Sequence, residues 1–161
     1  MTSAAHRQDG ESNAPYPTST SARSLSRLRQ HRSTRRPPVI LIADDTTDTR
    51  EVYADYFGSR GFTVVTAHDG TRAVRAALEH VPDVMVMDVA MPQIDGITAI
   101  RRIRADPRTL RSRVIVLTGY PRADVERGAF DAGADMFLTK PCLPEVLERY
   151  VNRLRRLRRP V

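Results

Sequence analysis

Val84-Met85-Val86-Met87-Asp88-Val89-Ala90-Met91-Pro92-Gln93-Ile94-Asp95-Gly96 is the stretch on which the fold turns. Four apolar residues stand unbroken between Asp83 and Asp88. That run fits a strand covered on both faces, as in a parallel sheet, better than the alternation of a strand with one wet face. It ends in a carboxylate and gives way to a loop bearing Pro92 and Gly96. In an open parallel sheet, ligands sit outside the carboxyl ends of the strands, so the run aims Asp88 at a site.

Upstream, Pro37-Pro38 closes a polar stretch and Val39-Ile40-Leu41-Ile42-Ala43 starts a first strand, at whose end stand Asp44 and Asp45. Thr46 and Thr47 offer N-cap oxygens to a helix over 48–59, with Val52, Tyr56 and Phe57 inward and Gly61 as its stop. Phe62 to Thr66 reads as a second strand. Gly70 opens a helix with Ala73, Val74, Ala77, Leu78 and Val81 at helical spacing, limited by Pro82.

Downstream, Ile97, Ile100, Ile103 and Arg104 make one face of a short helix closed by Asp106-Pro107. Val114 to Leu117 is a fourth strand ending in Thr118-Gly119, and a helix over 122–132 stops at Gly133. Asp135 to Thr139 is a fifth strand, followed by Lys140-Pro141. The last helix, over 144–159, carries Val146, Leu147, Tyr150, Val151, Leu154 and Leu157 on its apolar side. Its late arginines oppose the partial negative charge of the helix end. Five alternations of strand and helix demand a doubly wound α/β fold with a parallel sheet and right-handed crossovers. A flavodoxin-like (βα)5 strand order of 2-1-3-4-5 closes it and sets Asp44, Asp45 and Asp88 together at the switch point, with Thr118 and Lys140 beyond.

The 161 residues give room for one domain and a tail. No run approaches a membrane span of about 18 apolar residues and no secretory signal is evident, so a soluble, cytoplasmic protein is expected. Cys142 is the only cysteine, which excludes an internal disulfide and a cysteine-cluster metal site, and it is expected to be a small, partly buried side chain. His6, His31, His68 and His80 show no ligand spacing and are expected at the surface.

The formal charge of +7 is unevenly placed: residues 1–38 carry seven Arg against two acids, and residues 142–161 carry six Arg against two Glu. Residues 1–38, basic and rich in Ser, Arg and Pro, are expected to be a disordered extension, because they cannot bury enough surface to offset ordering entropy. Organelle transit peptides share that quality, but Asp9 and Glu11 count against one. The folded domain is expected over 39–161, with an Arg-rich C-terminal helix. Of 26 basic residues only Lys140 is lysine. A chain that uses arginine elsewhere and keeps one compact ammonium invites a chemical reason.

Three crowded carboxylates either raise a pKa or require a cation. Mg²⁺ suits a site that supplies a few carboxylates and leaves other positions to water, backbone oxygen and phosphate. Asp88 can then stay ionised and attack phosphorus, with Lys140 on one phosphoryl oxygen and the Thr118 hydroxyl on another. This constellation resembles the receiver domain of two-component response regulators, over Val39 to about Arg155: Asp44 and Asp45 as acidic pair, Asp88 as phosphoacceptor within Asp-Val-Ala-Met-Pro-Gln-Ile-Asp-Gly, Thr118, and Lys140-Pro141.

The resemblance implies phosphoryl transfer from a histidine kinase or histidine phosphotransfer protein. It also implies Mg²⁺ held by Asp45, Asp88 and the Ala90 carbonyl, with Asp44 assisting through water, and a cis Lys140-Pro141 bond. Thr118 and Phe137 take the switch positions, and Ala90 and Tyr120 those that tune phosphate lifetime. Ala90 cannot position a water whereas Tyr120 can screen the phosphate, so self-dephosphorylation is expected to be slow.

No output domain is read from the sequence. The expectation is a stand-alone regulator, not a turnover enzyme, that docks an unknown downstream protein or relays phosphate, with a phosphorylation-dependent homodimer as an option. The alternative of a Mg-dependent aspartate-nucleophile phosphohydrolase needs a second acid two residues after the nucleophile. Ala90 follows Asp88 at that spacing and Thr46 follows Asp44. A second alternative is a receiver with nucleic-acid contacts through its basic ends, but interleaved aromatics and a recognition helix are lacking. The expected outcome of titrating the protein against random duplex DNA is no binding even at low salt, where a backbone contact is strongest.

Overall fold

In a computed structural model, which describes residues 36–157, the chain alternates strand and helix throughout. The strands are β1 (Val39–Ala43), β2 (Thr63–Ala67), β3 (Val84–Met87), β4 (Arg113–Thr118) and β5 (Met136–Thr139). The helices are α1 (Thr47–Ser59), α2 (Gly70–His80), α3 (Gly96–Arg104), α4 (Ala123–Asp131) and α5 (Pro144–Arg156), with a short 3-10 turn at Pro107–Thr109. All neighbouring strands pair in parallel, in the order β2-β1-β3-β4-β5. The fold class is the flavodoxin-like doubly wound sheet that the strand runs predict. Residues 1–35 and 158–161 lie outside the described residues, and with them the expected disordered extension, His6, His31, Arg158 and Arg159.

Side chains alternate across each strand, so each buries two faces against two sets of helices. Leu41, Ala43, Met85, Met87, Val114 and Val116 pack with Ala73 and Ala77 of α2, Ala99, Ile100 and Ile103 of α3, and Ala129 of α4. Ile40, Ile42, Val84, Val86, Ile115 and Leu117 pack with Tyr53 and Phe57 of α1 and Leu147, Val151 and Leu154 of α5. Small alanines on α2 to α4 bring those helices close to the sheet, whereas α1 presents two aromatic rings.

Several local readings are corrected. In α1 the inward residues are Tyr53 and Phe57, while Val52 is exposed. Phe57 sets the helical phase, and the residue one turn before it is 53, not 52. Thr46 is the N-cap by position but makes no side-chain cap bond. Its N–H is instead taken by Asp44 Oδ1 at 2.9 Å. β2 starts one residue later than expected: the Phe62 N–H still donates to the Phe57 carbonyl at the end of α1, and its ring packs edge-on to Phe57 and lies under the Arg155 guanidinium. Leu157 lies past the end of α5 in extended backbone and is exposed, its carbonyl accepting from Arg113. Arg104 does turn inward, but as a guanidinium that donates to the carbonyls of Gly133, Thr109 and Ser112 and pairs with Asp135.

Two helix starts rest on aspartates. Asp69 Oδ1 accepts from Arg72 N at 2.7 Å and Asp95 Oδ1 from Thr98 N at 2.9 Å, capping α2 and α3. The Arg72 backbone N–H, opposed by burial and helped by the Arg72 side chain, holds the Asp69 carboxyl below its usual value. A depressed carboxyl stabilises the fold above its unfolded pKa and loses that contribution as pH falls through the folded value. Asp69→Ala should therefore lower stability at pH 7 by about 1 kcal/mol. The gap between wild type and variant in urea denaturation should narrow below about pH 4.

Candidate functional site

β1 and β3 pair in register with Ala43 opposite Met87, so the next residues of the two strands, Asp44 and Asp88, emerge side by side. Both are buried, at 4% and 5% exposure. Asp45 follows on the exposed side of the loop. Oxygens of Asp44, Asp45 and Asp88 all lie within 4.8 Å of one another. Two buried carboxylates this close repel strongly unless a cation lies between them.

Lys140 is that cation. β5 pairs with β4 with Thr139 opposite Thr118, which puts Lys140 just beyond the sheet edge. Its chain reaches across the width of β4 to place Nζ 2.6 Å from Asp44 Oδ2 and 2.7 Å from Asp88 Oδ2. Burial works to lower the Lys140 pKa, but hydrogen bonds to Asp44 and Asp88 and their charges outweigh it and hold it above the ordinary lysine value. The Lys140-Pro141 peptide is cis.

The second Asp88 oxygen, Oδ1, accepts only a longer bond from Ala90 N at 3.2 Å. Asp88 Oδ1 thus faces the loop with lone pairs to spare. Thr118 is fully buried and its hydroxyl oxygen accepts from Tyr120 N at 3.2 Å, which leaves the O–H able to donate. The Tyr120 ring is 65% exposed. Phe137 is partly buried against the core on the α2–α4 side. Ala90 is exposed at the loop surface.

The sequence reading did not single out the residues that hold these loops. Gly96 sits so close to β3 that an added Cβ would meet the Asp88 carbonyl oxygen at 2.0 Å. At Gly70 a Cβ would meet the Ile94 carbonyl oxygen at 2.1 Å. The 88–96 loop is therefore folded back on the end of β3 and against the start of α2. Gly96 was visible as a glycine in a loop, but its close approach is a tertiary contact. Arg50 of α1 donates to the Asp44 carbonyl at 2.8 Å, and Tyr53 donates to the Cys142 carbonyl at 2.7 Å. Burial, reinforced by the negative surroundings of Cys142 and Asp44 against Lys140, pushes Tyr53 up to about 12.

The donor set of three carboxylates is hard oxygen of the kind Mg²⁺ takes. Among the described residues no helix is long and apolar enough to cross a membrane.

A family model described as the response regulator receiver domain matches residues 40–152. Response regulator MprA of Mycobacterium ulcerans is 37% identical over 118 residues, covering 73% of this chain and 50% of that protein. The chain spans about half the length of the curated relatives it matches at this level. Among solved structures, the Vibrio cholerae chemotaxis protein CheY4 superposes with a TM-score of 0.70 at 26% identity, covering 73% of this chain and 98% of that one. The receiver domain of the Pseudomonas aeruginosa sensor histidine kinase PA1611, described with a magnesium ion coordinated in its active-site cleft, gives 0.69 at 30% identity, covering 74% and 98%.

Gly96→Ala should destabilise the domain by about 1–3 kcal/mol, because the loop or the end of β3 must move. Gly128→Ala is the internal control: its Cβ would meet only Ile97 Cδ1 at 3.5 Å, ordinary contact, inside a helix. Thermal denaturation should show a lowered midpoint for Gly96→Ala and an unchanged or raised one for Gly128→Ala.

Proposed function

Because the chain belongs to the response regulator receiver domain family, we propose that Asp88 accepts a phosphoryl group from the phosphohistidine of a histidine kinase or phosphotransfer protein and that the resulting acyl phosphate controls docking to a downstream protein or onward relay. The observation that carries this reading is the buried Asp88 carboxylate, tied at one oxygen by Lys140 and crowded by Asp44 and Asp45.

An Asp88 oxygen forms the bond to phosphorus as the phosphorus–nitrogen bond of the donor histidine breaks, the nitrogen keeping the electron pair. Lys140, already beside Asp88, pairs with a phosphoryl oxygen as charge develops there, and Thr118 donates its hydroxyl proton as a hydrogen bond to another. Asp45, Asp88 and the Ala90 carbonyl would hold magnesium, with Asp44 assisting through water; the ion, when bound, draws off charge on the phosphoryl oxygens. Movement of Thr118 toward the acyl phosphate gives Phe137 room to shift, reshaping the surface of α4, β5 and α5 that a partner or a second copy would meet. The proposed setting is the cytoplasm, with no sequence-specific reading of DNA by this domain.

The site stores phosphate in this reading and does not turn it over. Ala90 offers no group to orient a water, and Tyr120, two residues past Thr118, takes the role of screening the phosphorus.

Incubation with a small phosphodonor and Mg²⁺ should give hydroxylamine-labile phosphate on wild type and none on Asp88→Ala; steady turnover of phosphate esters would sink the reading in favour of a phosphohydrolase. Once formed, the phosphate should be hydrolysed slowly, because a site that excludes water protects a reactive intermediate. A half-life of seconds with Mg²⁺ present would contradict the roles given to Ala90 and Tyr120.

A further inference from the structure

Arg50 and Tyr53 lie three residues apart on α1, and so on one flank of the helix. Each ends on a backbone carbonyl of a different loop. Arg50 Nη1 donates to Asp44 O at 2.8 Å and Nη2 to Thr47 Oγ1 at 3.0 Å, tying down the β1–α1 loop. The Tyr53 hydroxyl donates to Cys142 O at 2.7 Å, two residues past Lys140 in the β5–α5 loop. The side chains of those loops then meet: Lys140 Nζ and Asp44 Oδ2 are 2.6 Å apart, although 96 residues separate them in sequence.

The Tyr53 ring is 5% exposed and belongs to the apolar core between α1, α5 and the sheet. A leucine or phenylalanine would satisfy that position as far as burial is concerned. A buried hydroxyl needs a partner, and here the partner is the carbonyl that follows the cis Lys140-Pro141 unit. The other ends of both loops are held by the sheet: Asp44 N donates to Ala67 O and Lys140 N to Thr118 O. One helix thus closes two loops whose separation sets the lysine–aspartate contact.

We propose that Tyr53 and Arg50 are positioning residues for phosphoryl uptake, bracing the loops that carry Lys140 and Asp44 so that the ammonium is held at the Asp88 carboxylate. This rests on the proposed phosphorylation of Asp88. Neither residue touches the phosphoryl group. Tyr53 acts through Lys140 and Arg50 through the Asp44 backbone.

The chain's single lysine supplies a reporter that does not depend on phosphorylation. Full-length protein labelled with carbon-13 lysine gives one side-chain methylene set next to the ammonium. Its relaxation should report a restrained Lys140 in wild type and in Val52→Ala, an exposed site on the same helix, and a freer one in Tyr53→Phe. The initial rate of phosphate uptake from phosphoramidate should fall about fivefold in Tyr53→Phe, the size of one lost hydrogen bond of ~1 kcal/mol. Arg50→Gln should weaken Mg²⁺ binding, measured by calorimetry, by a similar factor.

Unchanged lysine relaxation in Tyr53→Phe, or lost uptake accompanied by an unaltered lysine signal, would overturn the brace and leave Tyr53 as packing. Wild type that takes up no phosphate at Asp88 would remove the proposed function, while the lysine relaxation still decides whether the brace exists.

Discussion

Two aspartates at the carboxyl ends of adjacent parallel strands cannot sit side by side unaided. The register of β1 and β3 forces Asp44 and Asp88 together in a buried pocket, and their mutual repulsion must be met by positive charge. Lys140 meets it, reaching in from β5 to both carboxylates. Much else in the upper half of the domain serves this arrangement: the folded-back 88–96 loop with Gly96 against β3, and the two α1 side chains that grip the flanking loops. The pocket is a balance of charges, with one ammonium set against the three carboxylates of Asp44, Asp45 and Asp88.

The distribution of cations follows from the same constraint. Arg104 and Arg113 share the Asp135 carboxylate near the amino end of β4, and Asp135 also accepts from Val114 N. Planar guanidinium with several fixed donors suits that static junction, where carbonyls and a carboxylate must be satisfied at once. At the carboxyl ends of the strands one cation must reach carboxylates carried by two different strands, Asp44 and Asp88. A compact ammonium on a flexible stem does that, and the chain's sole lysine is found there.

The architecture was legible because its signals are local. In β1, β3 and β4 unbroken apolar runs of four or five residues, each followed by a polar residue, mark buried parallel strands, and glycines or prolines mark several of the helix limits. Asp44, Asp45, Asp88, Thr118 and Lys140 could be assembled from strand order, since each stands at the carboxyl end of a strand or within two residues of it. Val52 against Tyr53 was not decidable in that way, because α1 carries apolar residues at both positions and only Phe57 seated in the core sets the phase. Thr46 looked like a cap by residue type, yet its side chain accepts no helix N–H, and its own N–H donates to Asp44 Oδ1. Asp69 and Asp95 do cap, each accepting the backbone N–H three residues on.

By itself the sequence determined the parallel sheet, its order and the five residues gathered at its carboxyl edge, because periodicity and strand termini are properties of short segments. Only the tertiary structure decided that Asp88 is held by Lys140 at one oxygen and by the longer Ala90 N–H bond at the other, that Gly96 has no room for a side chain, and that Arg50 and Tyr53 reach the loops that carry Asp44 and Lys140. Those are contacts between segments distant along the chain. Their geometry is set by how helices seat on the sheet, which no local pattern encodes.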